Sequence, residues 1–372
     1  MKKIIKIIVV LFVVLSMIGC QKKDIYNPDE TTNEDELNWI FNTLESNHYD
    51  VYANISKEEF TQEIEKVKTN INEMSESDFY YSMLYLITLI EDAHTNIGYS
   101  DSKYLYEHGL PFAIAKFDDG WRVLILEEQF KECLGYQVVG INNIGIDEIY
   151  KRAKSIIPHS NDAWVDANFS NTINFQEALE YLEIVKKDEP INLILVNAKN
   201  EPVAIPLMPL SADEIQNIKL ARFERSEIPL TSNTGDIYRY LPINSTTLFI
   251  QYNSCEEDPN LSIKEFTKQV KNEIETNNYK TILFDLRYNS GGNSELIEPL
   301  FEMLKNFNNI SFYTLIGRET FSSGIMNAVD TKEMLNSTLI GIPTGGGVNS
   351  FGELKFIETK KLPFIVYYST RY

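Results

Sequence analysis

The sequence predicts an α/β protein assembled from several parts, and three observations carry that expectation. The last third alternates apolar strands with amphipathic helices, the pattern of a parallel sheet covered by helices. The first part, about residues 33–90, is helical throughout, whereas residues 105–210 turn to short strands. At 372 residues the chain also exceeds what one hydrophobic core usually supports, so two or three domains are expected.

The first twenty residues set the expected compartment. Lys2, Lys3 and Lys6 precede a near-unbroken apolar run, Ile7 to Ile18, followed by Gly19 and Cys20. A charged start, an apolar segment too short to span a bilayer comfortably and a small residue before a cysteine describe a secretory signal with a lipobox-like end. The expectation is a signal peptide over 1–19, a lipid on Cys20 and a tether over 20–32, which together hold an extracytoplasmic protein to the bacterial cell membrane. A retained membrane anchor is the alternative. With 34 basic and 54 acidic side chains the charge is −20, or −23 once the three lysines leave with the signal. Such a surface repels nucleic acid, so no nucleic-acid partner is expected. Cys133 and Cys255 lie far apart and lack the spacing of a zinc or redox motif, so neither a metal nor another cofactor is expected.

In the helical part, expected over 33–100, Leu37, Ile40, Phe41 and Leu44 form one apolar stripe and Phe60, Ile64, Val67 and Ile71 another. Ser56 with Glu59 makes a capping box. A third helix from about Ser77 is apolar nearly all round, so it should be buried, and it is expected to end in Glu91-Asp92-Ala93-His94 with His94 at its terminus. Strands are expected at Trp121 to Leu126, Gln137 to Ile141, Ile191 to Val196 and Val203 to Leu207, with helices near Ile146 to Ser155 and Phe175 to Lys186. Leu134 to Asn142 followed by Ile146-Asp147-Glu148-Ile149 is similar to a PDZ-type module, which places a PDZ-like insert over 101–210; a generic small α+β insert fits the same residues. The remaining part, 211–372, should hold strands Leu248 to Tyr252, Thr281 to Phe284, Phe312 to Ile316 and Thr338 to Ile342, separated by helices after Ser262, Ser294 and Ser322.

Ligands of parallel sheets bind beyond the carboxyl ends of the strands, and two segments fit that place. Phe284 to Ser294 runs from a strand through Gly291-Gly292 to a helix start, where glycines let backbone N–H groups approach a ligand. A plain tight turn is the simpler reading. Gly317 to Gly324 places Ser322 after a strand at the opening of a helix, the setting of a hydrolase nucleophile; helix capping, by Ser323 for instance, explains serines there equally well. A serine needs a base, and the four histidines are His48, His94, His108 and His159. Only His94 follows a buried helix. The other three sit in polar contexts that read as solvated surface.

Asp285 to Gly292, Thr320-Phe321-Ser322-Ser323-Gly324 and Gly341-Ile342-Pro343-Thr344-Gly345-Gly346 resemble, in order, the core motifs of the tricorn-like and C-terminal-processing (tail-specific) serine peptidases. The resemblance implies a crotonase-like β/α core and hydrolysis of polypeptide through an acyl-enzyme. It puts Ser322 at the nucleophile, and the amides of Ser323 and of Gly291 or Gly292 in the oxyanion hole. Where the processing branch has a lysine this chain has Gly347, and Leu89 to Thr95 instead resembles the tricorn-like segment that supplies a histidine base, His94. Tricorn's orienting glutamate belongs to residues beyond the strand at Phe364 to Tyr368. This chain stops at Tyr372, so the expectation is either a truncated form or another acid, with Asp92 and Glu353 nearest the motifs. A catalytically inactive peptide-binding lipoprotein and an acyl-CoA enzyme of the same fold are the competing expectations.

Overall fold

Capping chemistry fixes the first helices. Thr32, Ser56 and Ser75 each accept from the third residue of the following helix while that residue's carboxylate returns to the cap, starting α1 (Asn33–Asn47), α2 (Lys57–Lys68) and α3 (Glu76–Thr88). The structure, a computed structural model, describes residues 31–100, 108–187, 189–223 and 235–372. The expected signal, the lipidation site Cys20 and most of the tether lie outside the described residues. Among the described residues no helix is long and apolar enough to cross a membrane.

A loop leads from α3 to β1 (Asn96–Tyr99). The middle of the chain holds β2 (Ala113–Phe117), β3 (Gly120–Glu127), β4 (Gln137–Ile141), β5 (Ile144–Gly145), α4 (Ile146–Ala153), α5 (Asp162–Ile173), α6 (Gln176–Tyr181), β6 (Ile191–Val196), β7 (Pro202–Leu207), α7 (Ala212–Asn217) and β8 (Leu220–Arg222). Its sheet runs β2-β3-β4-β6-β7, with β5 on β4 and β8 on β3. Trp121, Tyr150 and Phe169 pack ring on ring between this sheet and its helices. Leu37, Ile40 and Ile87 of the first helices share one continuous core with Val123, Leu193 and Phe169 of this part.

The last part contains β9 (Tyr238–Asn244), β10 (Thr247–Tyr252), α8 (Ile263–Thr276), β11 (Thr281–Asp285), α9 (Glu298–Leu304), β12 (Ser311–Ile316), α10 (Ser323–Leu335), β13 (Thr338–Gly341), β14 (Gly352–Glu358) and β15 (Phe364–Arg371). Strands β10 to β13 are parallel neighbours in chain order, and β9 closes one edge antiparallel. A second core, with Ile250, Tyr252, Phe266, Val270, Phe284 and Phe301, fills the space between this sheet and its helices. Strand β15 leaves it. It pairs antiparallel with both β14 and β1, and Phe364 lies fully buried against Phe79 of α3. The chain's last strand thus belongs to the first core, a placement that sets up the site.

Candidate active site

The turn after β12 makes the first half of the site. Ser322 precedes α10 with φ 50° and ψ −126°, a backbone conformation that a side chain adopts only under strain. It occupies the cap position, yet its hydroxyl makes no capping hydrogen bond. Ser323 does not cap either, because its hydroxyl donates to the Gly292 carbonyl at 2.7 Å and ties the two glycine-containing turns together. Asn289, fully buried, organises the junction: its side chain donates to the Tyr252 carbonyl at 3.0 Å, accepts the Gly291 amide at 3.0 Å, and its own carbonyl receives the Phe321 amide at 2.9 Å.

Gly291 (φ 114°) has a steric reason to be glycine. A Cβ there would lie 2.8 Å from Ser322 Cβ, 3.2 Å from its Oγ and 3.1 Å from the Ser323 amide nitrogen. The missing side chain is therefore the space in front of the hydroxyl and that amide. The Ser323 and Gly292 N–H groups have no hydrogen-bond partner among the described residues, whereas that of Gly291 is already committed to Asn289. Asp285 and Arg287, at the start of the same motif, form a bidentate ion pair extended by Gln251, which holds the carboxyl end of β11.

The second half comes from the loop between α3 and β1. Asp92 is buried and accepts four hydrogen bonds: the His94 amide at 2.9 Å on Oδ1, and on Oδ2 the hydroxyls of Thr95 and Ser369, both at 2.6 Å, and His48 Nε2 at 3.2 Å. Burial alone would push this carboxyl up, but donors from His48, His94, Ser369 and Thr95 hold it far below the usual carboxylate range. His94 Nδ1 stands 3.7 Å from Asp92 Oδ1, and its Nε2 is buried without a hydrogen-bond partner. The imidazole stacks on Phe321 at 4.4 Å, and Phe321 stacks in turn on Trp164 of α5 at 4.1 Å. The residue next to Ser322 is thus the surface on which His94 rests.

Both halves line one cleft of about 960 Å³, shared by His94, Ser322, Ser323, Gly291 and Gly292. No hydrogen bond joins Ser322 to His94. Among the described residues neither lysine nor arginine lines the cleft, and Gly347, where the processing branch would have its lysine, is part of the wall.

No family model matches the sequence, and no curated protein does. Among solved structures, mature CPAF aligns at TM-score 0.65 and 10% identity, covering 91% of this chain and 88% of that one. The chain shares the fold of mature CPAF. A structure of mature CPAF complexed with lactacystin aligns at TM-score 0.62 and 10% identity, over 91% of this chain and 89% of that one. The photosystem II D1 C-terminal processing protease covers the same share of this chain and 87% of its own at 10% identity and TM-score 0.43. At 10% identity the likeness to CPAF is one of fold.

Within this fold three expectations need correction. The helix does not deliver His94: α3 ends at Thr88, and Asp92 takes the His94 amide and the Thr95 hydroxyl, so the backbone turns and His94 lies six residues farther on. His48 is not a solvated residue but 6% exposed, sealed beneath Phe351 against Asp92. Ser323 is not a cap. His108 is exposed and paired with Glu177, and His159 is half-buried on the Ile157 carbonyl. Glu353 reaches the cleft wall but is paired with Arg371. Asn289 lies within the Asp285 to Gly292 motif, yet only the burial of its amide reveals its role. Nothing local in the sequence marks Ser369 or Trp164.

Proposed function

We propose that the chain is a serine endopeptidase that cleaves polypeptide through an acyl-enzyme, with Ser322 as nucleophile and His94 as general base. The observation that carries this is Ser322 itself: a strained serine between a parallel strand and a helix, its hydroxyl withheld from capping, in one cleft with a histidine whose Nε2 is buried and unpartnered. Strain at such a turn persists only where surrounding structure enforces it, and here Asn289 and the Ser323–Gly292 bond do so. In the reaction Ser322 Oγ bonds to the peptide carbonyl carbon as its proton passes to His94 Nε2. The N–H groups of Ser323 and Gly292 stabilise the oxyanion, and the C–N bond breaks as His94 protonates the leaving amine. Water then hydrolyses the ester by the same route.

The five-stranded sheet with α8 to α10 reads as a crotonase-like core, and the seven-stranded sheet as a PDZ-like insert between the base and the nucleophile. Cys20 would carry the lipid that tethers the enzyme outside the cytoplasmic membrane. The test is labelling with a fluorophosphonate: the native protein should label and cleave an unfolded polypeptide, and Ser322→Ala and His94→Ala should do neither. A folded native protein inert to both would overturn the peptidase reading. For the anchor, Cys20→Ser should accumulate as uncleaved precursor in membranes, and a normally trimmed soluble product would refute lipidation.

A further inference from the structure

A histidine base works only if one nitrogen is held as donor and the other left as acceptor, so the residue that fixes its tautomer matters as much as the ring. We infer that Asp92 is the carboxylate that orients His94, and that His48 is the outer residue that fixes Asp92. This rests on the reading of His94 as the base of Ser322. Among the described residues Asp92 is the carboxylate within 4.0 Å of the His94 ring, with Oδ1 on the side of Nδ1. Nδ1 then carries the proton, and Nε2, unpartnered in the cleft wall, keeps its lone pair. The 3.7 Å separation is longer than a hydrogen bond, as catalytic contacts often are before substrate closes the site.

His48 cannot exchange roles with His94. The Asp50 amide donates to His48 Nδ1 at 3.1 Å, so that nitrogen must hold a lone pair; the ring proton sits on Nε2, which donates to Asp92 Oδ2 at 3.2 Å. With Thr95 and Ser369 also on Oδ2, that oxygen is fully occupied from the residue that follows α1, the loop and β15, and Oδ1 is left for His94 alone. Asp92 is thus a positioning residue pinned from three separate parts of the chain. The charged groups farther out along the cleft are Asp236, Glu256, Asp330 and Glu353, all beyond 4.0 Å from the ring.

The experiment is the pH profile of kcat/KM for native protein, Asp92→Asn, His48→Gln and His48→Leu, with fluorophosphonate titration of competent sites in each. Asp92→Asn should lower kcat by ~10²–10⁴-fold. It should also move the acid limb of the activity profile to lower pH, because the carboxylate beside the ring is gone. His48→Gln, which keeps a donor for Oδ2, should retain the native midpoint, whereas His48→Leu should lose kcat at nearly constant KM. The midpoint does not depend on how much of a variant folds, so a merely structural role would leave it in place. An unmoved midpoint in Asp92→Asn, or His48→Leu equal to native protein if Asp92→Asn fails to fold, overturns the inference. Native protein that neither labels nor cleaves overturns the peptidase reading beneath it, a distinct outcome.

Discussion

The two halves of the cleft are built in opposite ways. The nucleophile half is local: Asn289, Gly291, Gly292, Ser322 and Ser323 lie on two turns at the ends of adjacent strands, and short-range bonds within the second core hold them. The base half is assembled from a distance, since His94 depends on Asp92 beside it, His48 after α1, Ser369 on the last strand and Trp164 through Phe321. A local half needs only its own sheet to form. The distant half exists once the whole chain is in place, which makes it the half that folding errors or domain movement would disable first.

The largest effect should separate the halves at Gly291. A valine there would put its Cβ in the space before Ser322 Oγ, at a φ of 114° that β-branched residues do not adopt. Turnover should fall by at least the ~10²–10³-fold that loss of one oxyanion donor costs. The same change at Gly292 meets the Cys255 carbonyl at 2.5 Å, a backbone contact away from the nucleophile. Gly292→Val should accordingly unfold the turn, lowering Tm and activity together. Equal losses of activity at equal Tm for both variants would show that Gly291 is no more than a turn residue.

The second effect probes the distant half through pH. Because Asp92 has a folded-state pKa below its unfolded value, it stabilises the fold above about pH 4 and loses that contribution as pH falls below it. Ser369→Ala removes one of the short donors, at a cost of about 1–3 kcal/mol for a hydrogen bond to a buried charge. Acid unfolding should then begin at higher pH than in native protein. An unchanged acid transition would mean that the last strand does not secure Asp92.

This contrast also decides what could be read from the sequence. Strand β4 at Gln137–Ile141 and β6 at Ile191–Val196 match their apolar patterns residue for residue, and the Ser56 box starts α2 as expected, because alternation and capping are near-neighbour effects. The glycine turns were legible for the same reason. His48 was not: its neighbours are polar, and what buries it are Phe351 and Asp92, from distant parts of the chain. Strand β1, only four residues long, shows no alternation of its own and exists because β15 pairs with it. Where a residue's environment comes from elsewhere in the fold, single-sequence patterning carries no signal for it.

A smaller effect should come from Trp164, which stacks on the ring of Phe321 and packs against the cluster of Ala93, Phe321 and Ile325. Trp164→Leu keeps an apolar side chain but removes the outer ring of the stack, forgoing ~0.5–1.5 kcal/mol of aromatic contact. The site should label more slowly with fluorophosphonate while Ser322 itself is untouched. Combined with His94→Ala the stability losses should fall short of additive, since the stack they share is lost only once. Strict additivity would show that α5 and the base loop are uncoupled.

The smallest effect concerns the other nucleophile near the cleft. Cys255 is 1% exposed, its Sγ 3.3 Å from Asn289 Oδ1 and 3.2 Å from Asn327 Oδ1, and burial pushes its thiol up to about 12. At pH 8 it is held as the thiol, and the thiolate is the reactive form. Iodoacetamide should therefore leave native activity intact over hours and modify Cys255 only after denaturation, a difference that mass spectrometry reads directly. The comparison is informative because Ser322, one turn away on the same framework, is half-buried, carries no hydrogen bond on its hydroxyl and should react with fluorophosphonate under the same conditions. If iodoacetamide instead inactivated the folded protein at pH 8 with label on Cys255, the junction held by Asn289 would be opening in solution, and the local half of the cleft would be the less rigid of the two.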